Sequence, residues 1–78
     1  MEEKILDLLA EICDDEIVKE DRNINMSEEG LLDSLGYTEL LVGLEELFDI
    51  TLSPSAVSRE EVETPEKVIA LVREMKGQ

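Results

Sequence analysis

Apolar residues recur along this chain at the spacing of helices, and no segment alternates long enough to suggest a sheet. Ile5, Leu8, Leu9, Ile12 and Cys13 return every three or four positions and predict a first helix over residues 2–15. Residues 19–33 then read as a long loop, polar and interrupted by Asn23, Asn25 and Gly30. Ile24, Leu31 and Leu32 are available to pin it to the core, and so long a loop in a small domain is usually functional or docked on the helices. A second helix begins at Asp33 or Ser34. Within it Tyr37, Leu40, Leu41, Leu44, Leu47 and Phe48 keep the i, i+3, i+4, i+7 rule and make one apolar stripe. Glu39, Val42, Glu45, Glu46 and Asp49 fall away from that stripe.

Ser53-Pro54 breaks the pattern, and Ser58-Arg59-Glu60-Glu61 fits a capping box that opens one or two short turns. Thr64-Pro65-Glu66 is a helix start, with Thr64 as N-cap and Pro65 at the first helical position. Val68, Ile69, Val72 and Met75 give this last helix an inner face, and Gly77 can end it. The expectation is an all-α fold of three main helices and one short one, with a long loop between the first and second. With 78 residues there is room for one domain, residues 1–78, and for no second core. Hydrophobic residues are 42% of the chain and aromatics only 3%, so Leu, Ile and Val must build the interior, around residues such as Leu9, Leu44, Phe48, Val62 and Val72. No pocket able to enclose a substrate is expected from so small a core.

Charge narrows the function further. The chain has 21 acidic and 7 basic residues, a formal net charge of −14, which opposes nucleic acid or an anionic membrane as direct partner. Between Arg22 and Arg59 there is no basic residue, while Glu28, Glu29, Asp33, Glu39, Glu45, Glu46 and Asp49 lie inside the interval. Such a run is ordinarily a solvated face, and as a binding face it favours basic partners. The acidic start Met1-Glu2-Glu3-Lys4 is unlike a signal peptide, and no apolar run approaches the roughly 20 residues of a membrane span, so a cytoplasmic location is expected. Cys13 is the only cysteine and reads as a small buried hydrophobe.

Metal and hydrolytic chemistry find little footing. Asp21-Arg22-Asn23-Ile24-Asn25 begins like a calcium loop, but Met26 replaces the required glycine and Leu32 stands at the bidentate glutamate position. The chain has no histidine, which removes zinc sites of the usual kind and histidine-based nucleophile activation. Asp14-Asp15-Glu16 reads as solvated charge, and paired carboxylates lack a cleft to separate their pKa values.

What remains is Ser34. A serine ahead of an amphipathic helix is ordinarily an N-cap, and either Asp33 or Ser34 could supply the capping oxygen. Gly30 and Gly36 flank it, which is consistent with a site kept uncrowded for an approaching enzyme. A phosphate on Ser34 would meet the free N–H groups and positive dipole end of the helix, a stabilisation of roughly 0.3–1 kcal/mol.

The string GLLDSLG at residues 30–36, and the wider DSLGYTELLVGLEELFDI at residues 33–50, resemble the phosphopantetheine attachment site of acyl and peptidyl carrier proteins. The resemblance implies a right-handed four-helix carrier fold over nearly the whole chain. Ser34 would be esterified to the phosphate of a 4'-phosphopantetheine arm, whose terminal thiol holds an acyl group as a thioester. It implies that Asp33 helps position metal and cofactor in the phosphopantetheinyl transferase that installs the arm. The second helix would be the recognition surface, with Glu39, Glu45, Glu46 and Asp49 as its acidic contacts and Leu35 and Val42 as apolar contacts beside the arm. The chain would be a monomeric shuttle, not itself an enzyme.

Fatty-acid carriers usually have an acidic residue two positions after the serine, where this chain has Gly36. The GLLDS-x-G segment, the FDI ending, and Arg59 followed by Thr64-Pro65 are more similar to the D-alanyl carrier proteins of lipoteichoic acid modification. The chain departs from that group at Val57 and Val62, where aromatic residues are usual. The partners this implies are an adenylating D-alanine–carrier ligase and membrane-associated acyl transfer machinery, with no nucleic acid and no membrane insertion. A fatty-acid, polyketide or peptidyl-type carrier is the alternative; a non-covalent acidic interaction module is the rival from another class.

Overall fold

A computed structural model describes residues 2–77. Helix α1, Glu2–Cys13, has Glu2 and Glu3 in its first turn, where carboxylates meet the positive end of the dipole. It buries Ile5, Leu6, Leu9 and Ala10. The helix stops two residues short of the expected end because Asp14 takes a left-handed conformation, φ 55°. The Asp15 carboxylate then accepts a hydrogen bond from the Ile17 N–H at 3.0 Å and opens a one-turn helix α2, Ile17–Glu20. The sequence pattern gave no sign of α2, since four residues are too few to show a period; Val18 is its one buried anchor.

The loop after α2 is short of regular structure and rich in tethers. Met26, wholly buried, is its pin: its N–H donates to the Glu63 carbonyl at 2.7 Å, and its carbonyl accepts from Leu31 and Leu32 at 2.8 and 3.0 Å. The Cys13 thiol contacts its sulfur at 3.9 Å. Leu32 is also buried, whereas Ile24 and Leu31 pack only partly against the core. The residue that spoiled the calcium loop is therefore the one that holds the segment down.

Helix α3, Ser34–Phe48, follows at once, with Asp33 as an extended N-cap whose carboxylate accepts from the Gly36 N–H at 2.7 Å. Gly36, Tyr37, Leu40, Leu41, Leu44 and Phe48 are buried. Leu47 is not part of this stripe, being 44% exposed. It lies at the stripe's edge, on a groove shared with Lys4, Leu8, Glu11, Gly43 and Glu46, where α1 does not cover it. Asp49 closes the helix in a left-handed conformation, φ 54°.

A short 3-10 helix, Arg59–Val62, is opened by the expected box, with the Glu61 carboxylate accepting from the Ser58 N–H and hydroxyl at 3.1 and 3.2 Å. Helix α4, Pro65–Met75, starts as predicted, with the Thr64 hydroxyl oxygen accepting from the Lys67 N–H at 3.1 Å. Val68, Ile69, Leu71 and Val72 face inward. Met75 does not: it is 44% exposed, and residues 73–77 are exposed throughout. Gly77, φ 81°, ends the helix. Glu2 ties the layers together, meeting Arg22 of the loop at 2.8 Å and Arg73 of α4. The described residues thus form an all-α bundle of three main helices and two short turns, closed on Leu9, Leu44, Phe48, Val62 and Val72. No helix among them is long and apolar enough to cross a membrane.

Candidate functional site

The site is built at the mouth of α3. Asp33 provides the cap, so Ser34 is the first helical residue and its hydroxyl is not consumed in capping. Both residues are exposed. Helix geometry leaves the first N–H groups of α3 without intrahelical acceptors, and they and the dipole favour an anion at this point. Thr38 turns its hydroxyl onto the Ser34 carbonyl at 3.1 Å, which secures the first turn.

Gly30 and Gly36 do different things from one another. Gly30, φ 73°, has open space around it and lets the chain reverse ahead of the site. Gly36 is buried, and a Cβ there would stand 3.1 Å from Leu32 and 3.2 Å from Ile12. Its role is close packing beneath the site, not clearance above it. In this chain any side chain two residues after Ser34 would begin against Leu32, Ile12 and the Asp33 carboxylate.

From the serine an exposed stripe runs down α3. Leu35, Glu39, Val42 and Glu46 recur at i, i+4, i+7 and i+11 and share one face over about 16 Å of helix. Leu35 is 68% exposed and Val42 47%, large values for apolar side chains in so small a protein. Asp49, exposed at the helix end, extends the line. Glu45 departs from expectation. It is half-buried, and its carboxylate turns back to accept the Leu52 N–H at 2.8 Å, so it stabilises the chain after α3 and is not an open docking charge.

One neighbour of Ser34 was legible in the sequence only as part of the D-alanyl signature. The Arg59 guanidinium stands over the Tyr37 ring, 5.6 Å from its centroid, and an Nη donates to the Ser34 hydroxyl oxygen at 3.5 Å. The signal available was that Arg59 is the sole basic residue between Asn23 and Glu66.

Elsewhere, no group of three or more His, Cys, Asp or Glu among the described residues is placed to hold a metal ion. Cys13 is half-buried, and burial first, then the Asp15 charge, pushes its thiol pKa upward, away from reactivity.

A helical bundle that offers an exposed serine hydroxyl, not used in capping, at a helix mouth beside an acidic helix face has the makings of a covalent carrier. The phosphopantetheine attachment site family matches residues 3–72. The D-alanyl carrier protein of Abiotrophia defectiva is 52% identical over 73 residues, 94% of this chain and 92% of that protein. Those of Bacillus subtilis and Bacillus cereus (strain B4264) are 43% and 42% identical over 74 residues, 95% of this chain and at least 94% of each. The chain belongs to the phosphopantetheine attachment family, in its D-alanyl carrier protein branch. The cofactor of this family is a covalently attached 4'-phosphopantetheine. The residues at the α3 mouth fit its phosphate: an exposed hydroxyl to esterify, free helix N–H groups and a guanidinium within reach.

Proposed function

We propose that Ser34 is the attachment point of the 4'-phosphopantetheine and that the chain, one domain over residues 1–78, is a non-catalytic shuttle for D-alanine. The observation that supports this most directly is the division of labour at the helix mouth: Asp33 takes the Gly36 N–H at 2.7 Å, and the Ser34 hydroxyl is left exposed for chemistry. Once attached, the arm supplies a terminal thiol that holds an acyl group as a thioester. This chain's residues do the rest. Ser34 Oγ provides the ester oxygen, and the α3 N-terminus stabilises the phosphate charge. Asp33, on the flank of the serine, is the residue offered to the metal and cofactor in the phosphopantetheinyl transferase.

The exposed stripe Leu35, Glu39, Val42 and Glu46, with Asp49 beyond it, is the surface that the transferase, an adenylating D-alanine ligase and a membrane-associated transfer machinery recognise in turn. Its acids steer basic partners and its two apolar side chains supply contact area beside the arm. D-alanine is small and polar, so the carrier gains nothing by enclosing it. A fatty acyl chain, by contrast, gains about 0.8 kcal/mol for each buried CH₂, so a carrier of such chains profits from an apolar tunnel in its interior. The shuttle acts as a monomer in the cytoplasm, delivering D-alanine for the modification of teichoic acids.

Intact-mass measurement after co-expression with a phosphopantetheinyl transferase tests the attachment. Wild type gains one arm, and Ser34→Ala gains none while keeping its helical circular dichroism. A Ser34→Ala variant that still takes up the arm would show the assignment to be wrong. Loading of the arm-bearing protein against a D-alanine ligase and a fatty-acyl synthetase tests the cargo. Preferential loading with fatty acids, with thermal stability rising with chain length, would overturn D-alanine.

A further inference from the structure

We propose that Arg59 is a positioning residue for the arm: its guanidinium pairs with the phosphodiester on Ser34 and holds the root of the arm in the gap between α3 and the 3-10 helix. The inference rests on Ser34 as the attachment point.

Its basis is an imbalance of charge. This chain has three acids for each base, and four of its other cations show the consequence. Lys19 meets Asp7 and Glu16, Arg22 and Arg73 share Glu2, and Lys67 takes Glu63. Arg59 sits next to Glu60 and Glu61 in sequence, yet among the described residues it makes no ion pair. Glu61 is engaged by Ser58, and Arg59 lies instead across the Tyr37 ring with one nitrogen 3.5 Å from Ser34 Oγ. The ring beneath it is fixed, since Tyr37 is buried and its hydroxyl donates to the Val57 carbonyl, two residues before Arg59. A cation in a strongly acidic protein is thereby kept from every carboxylate and aimed at a neutral hydroxyl. A contact of that length is weak for a hydroxyl oxygen. With a phosphate on the same oxygen, its anionic oxygens extend toward the guanidinium, and the fork geometry of arginine suits them.

The test compares wild type, Arg59→Gln and Arg59→Lys, each with and without the arm. Intact mass with fragmentation first establishes where the arm is. In wild type the arm should raise Tm by roughly 2–5 °C at low salt, the range of an exposed charge pair in a domain of this size. That increment should fall by at least half at about 0.5 M salt, where screening is strong. In Arg59→Gln the increment should fall by at least half, to the share the α3 N-terminus supplies, while Arg59→Lys should keep more of it. Loss of the Tyr37 contact affects both forms and cancels in the difference. The phosphorus NMR resonance of the arm should move further with salt in wild type than in Arg59→Gln. An arm on Ser34 with the same increment and the same salt response in wild type and Arg59→Gln overturns this proposal alone; an arm on another residue overturns it together with the attachment reading.

Discussion

Glu45 and Glu46 are adjacent in sequence and differ in circumstance, one half-buried on the Leu52 N–H and the other in solvent. Replacing Glu45 with Ala should cost about 1 kcal/mol of folding stability, less than the roughly 1.5–3 kcal/mol of a hydrogen bond to a charged group, because the site is partly wet. Glu46→Ala should leave stability within about 0.5 kcal/mol of wild type; denaturant unfolding of both variants measures the contrast. Spacing along a helix can separate outer from inner residues, but it cannot show that an outer carboxylate bends back to cap the chain seven residues on. The same limit applies to Met26 and Arg59, whose roles depend on partners distant in sequence, Glu63 for one and Ser34 and Tyr37 for the other. Gly36 was visible as a glycine but not as a packing residue. Gly36→Ala should lose about 1–3 kcal/mol through contact with Leu32 and Ile12.

At the level of elements, most of the fold was legible because its punctuation is chemical and local. Asp33, the Ser58–Glu61 box, Thr64-Pro65 and Gly77 each act within four residues, and each operates as its sequence pattern predicts. The early end of α1 was not legible, since an aspartate in a left-handed conformation has no sequence signature comparable to glycine. Asp49 is the second such residue, and it suggests an experiment on α3. Asp49→Gly removes the backbone strain at φ 54° and should raise stability by about 0.5–1 kcal/mol, read as a higher denaturant midpoint with unchanged slope. Charge reversal on the exposed stripe should act on encounter instead. Glu39→Lys with Glu46→Lys should slow loading by the transferase and ligase and flatten its salt dependence, because steering governs association. Unaltered kinetics would place the docking surface on another face.

Across the whole molecule, the ion pairs that join its layers give stability a definite dependence on acid. Hydrogen bonding to Arg22 holds the Glu2 carboxyl below its ordinary value of 4.5, and Lys67 does the same for Glu63. A carboxyl depressed in the folded state contributes stability that is present above its unfolded pKa and lost as pH falls through its folded one. Glu2→Gln should therefore be less stable than wild type at neutral pH, and the gap should close as the pH drops below about 4.5. A gap that persists unchanged in acid would assign the effect to packing and not to charge.

Tyr37 gives the protein an optical property of its own. The chain has one tyrosine and no tryptophan, so its near-ultraviolet absorption and emission come almost wholly from a single ring. That ring is buried, bonded through its hydroxyl to Val57 and overlaid by Arg59, one contact away from the Ser34 oxygen. Any event that shifts the guanidinium alters the field on the chromophore. Modification of the serine should therefore be readable in real time from unlabelled protein, as a change in tyrosine emission that Tyr37→Phe abolishes.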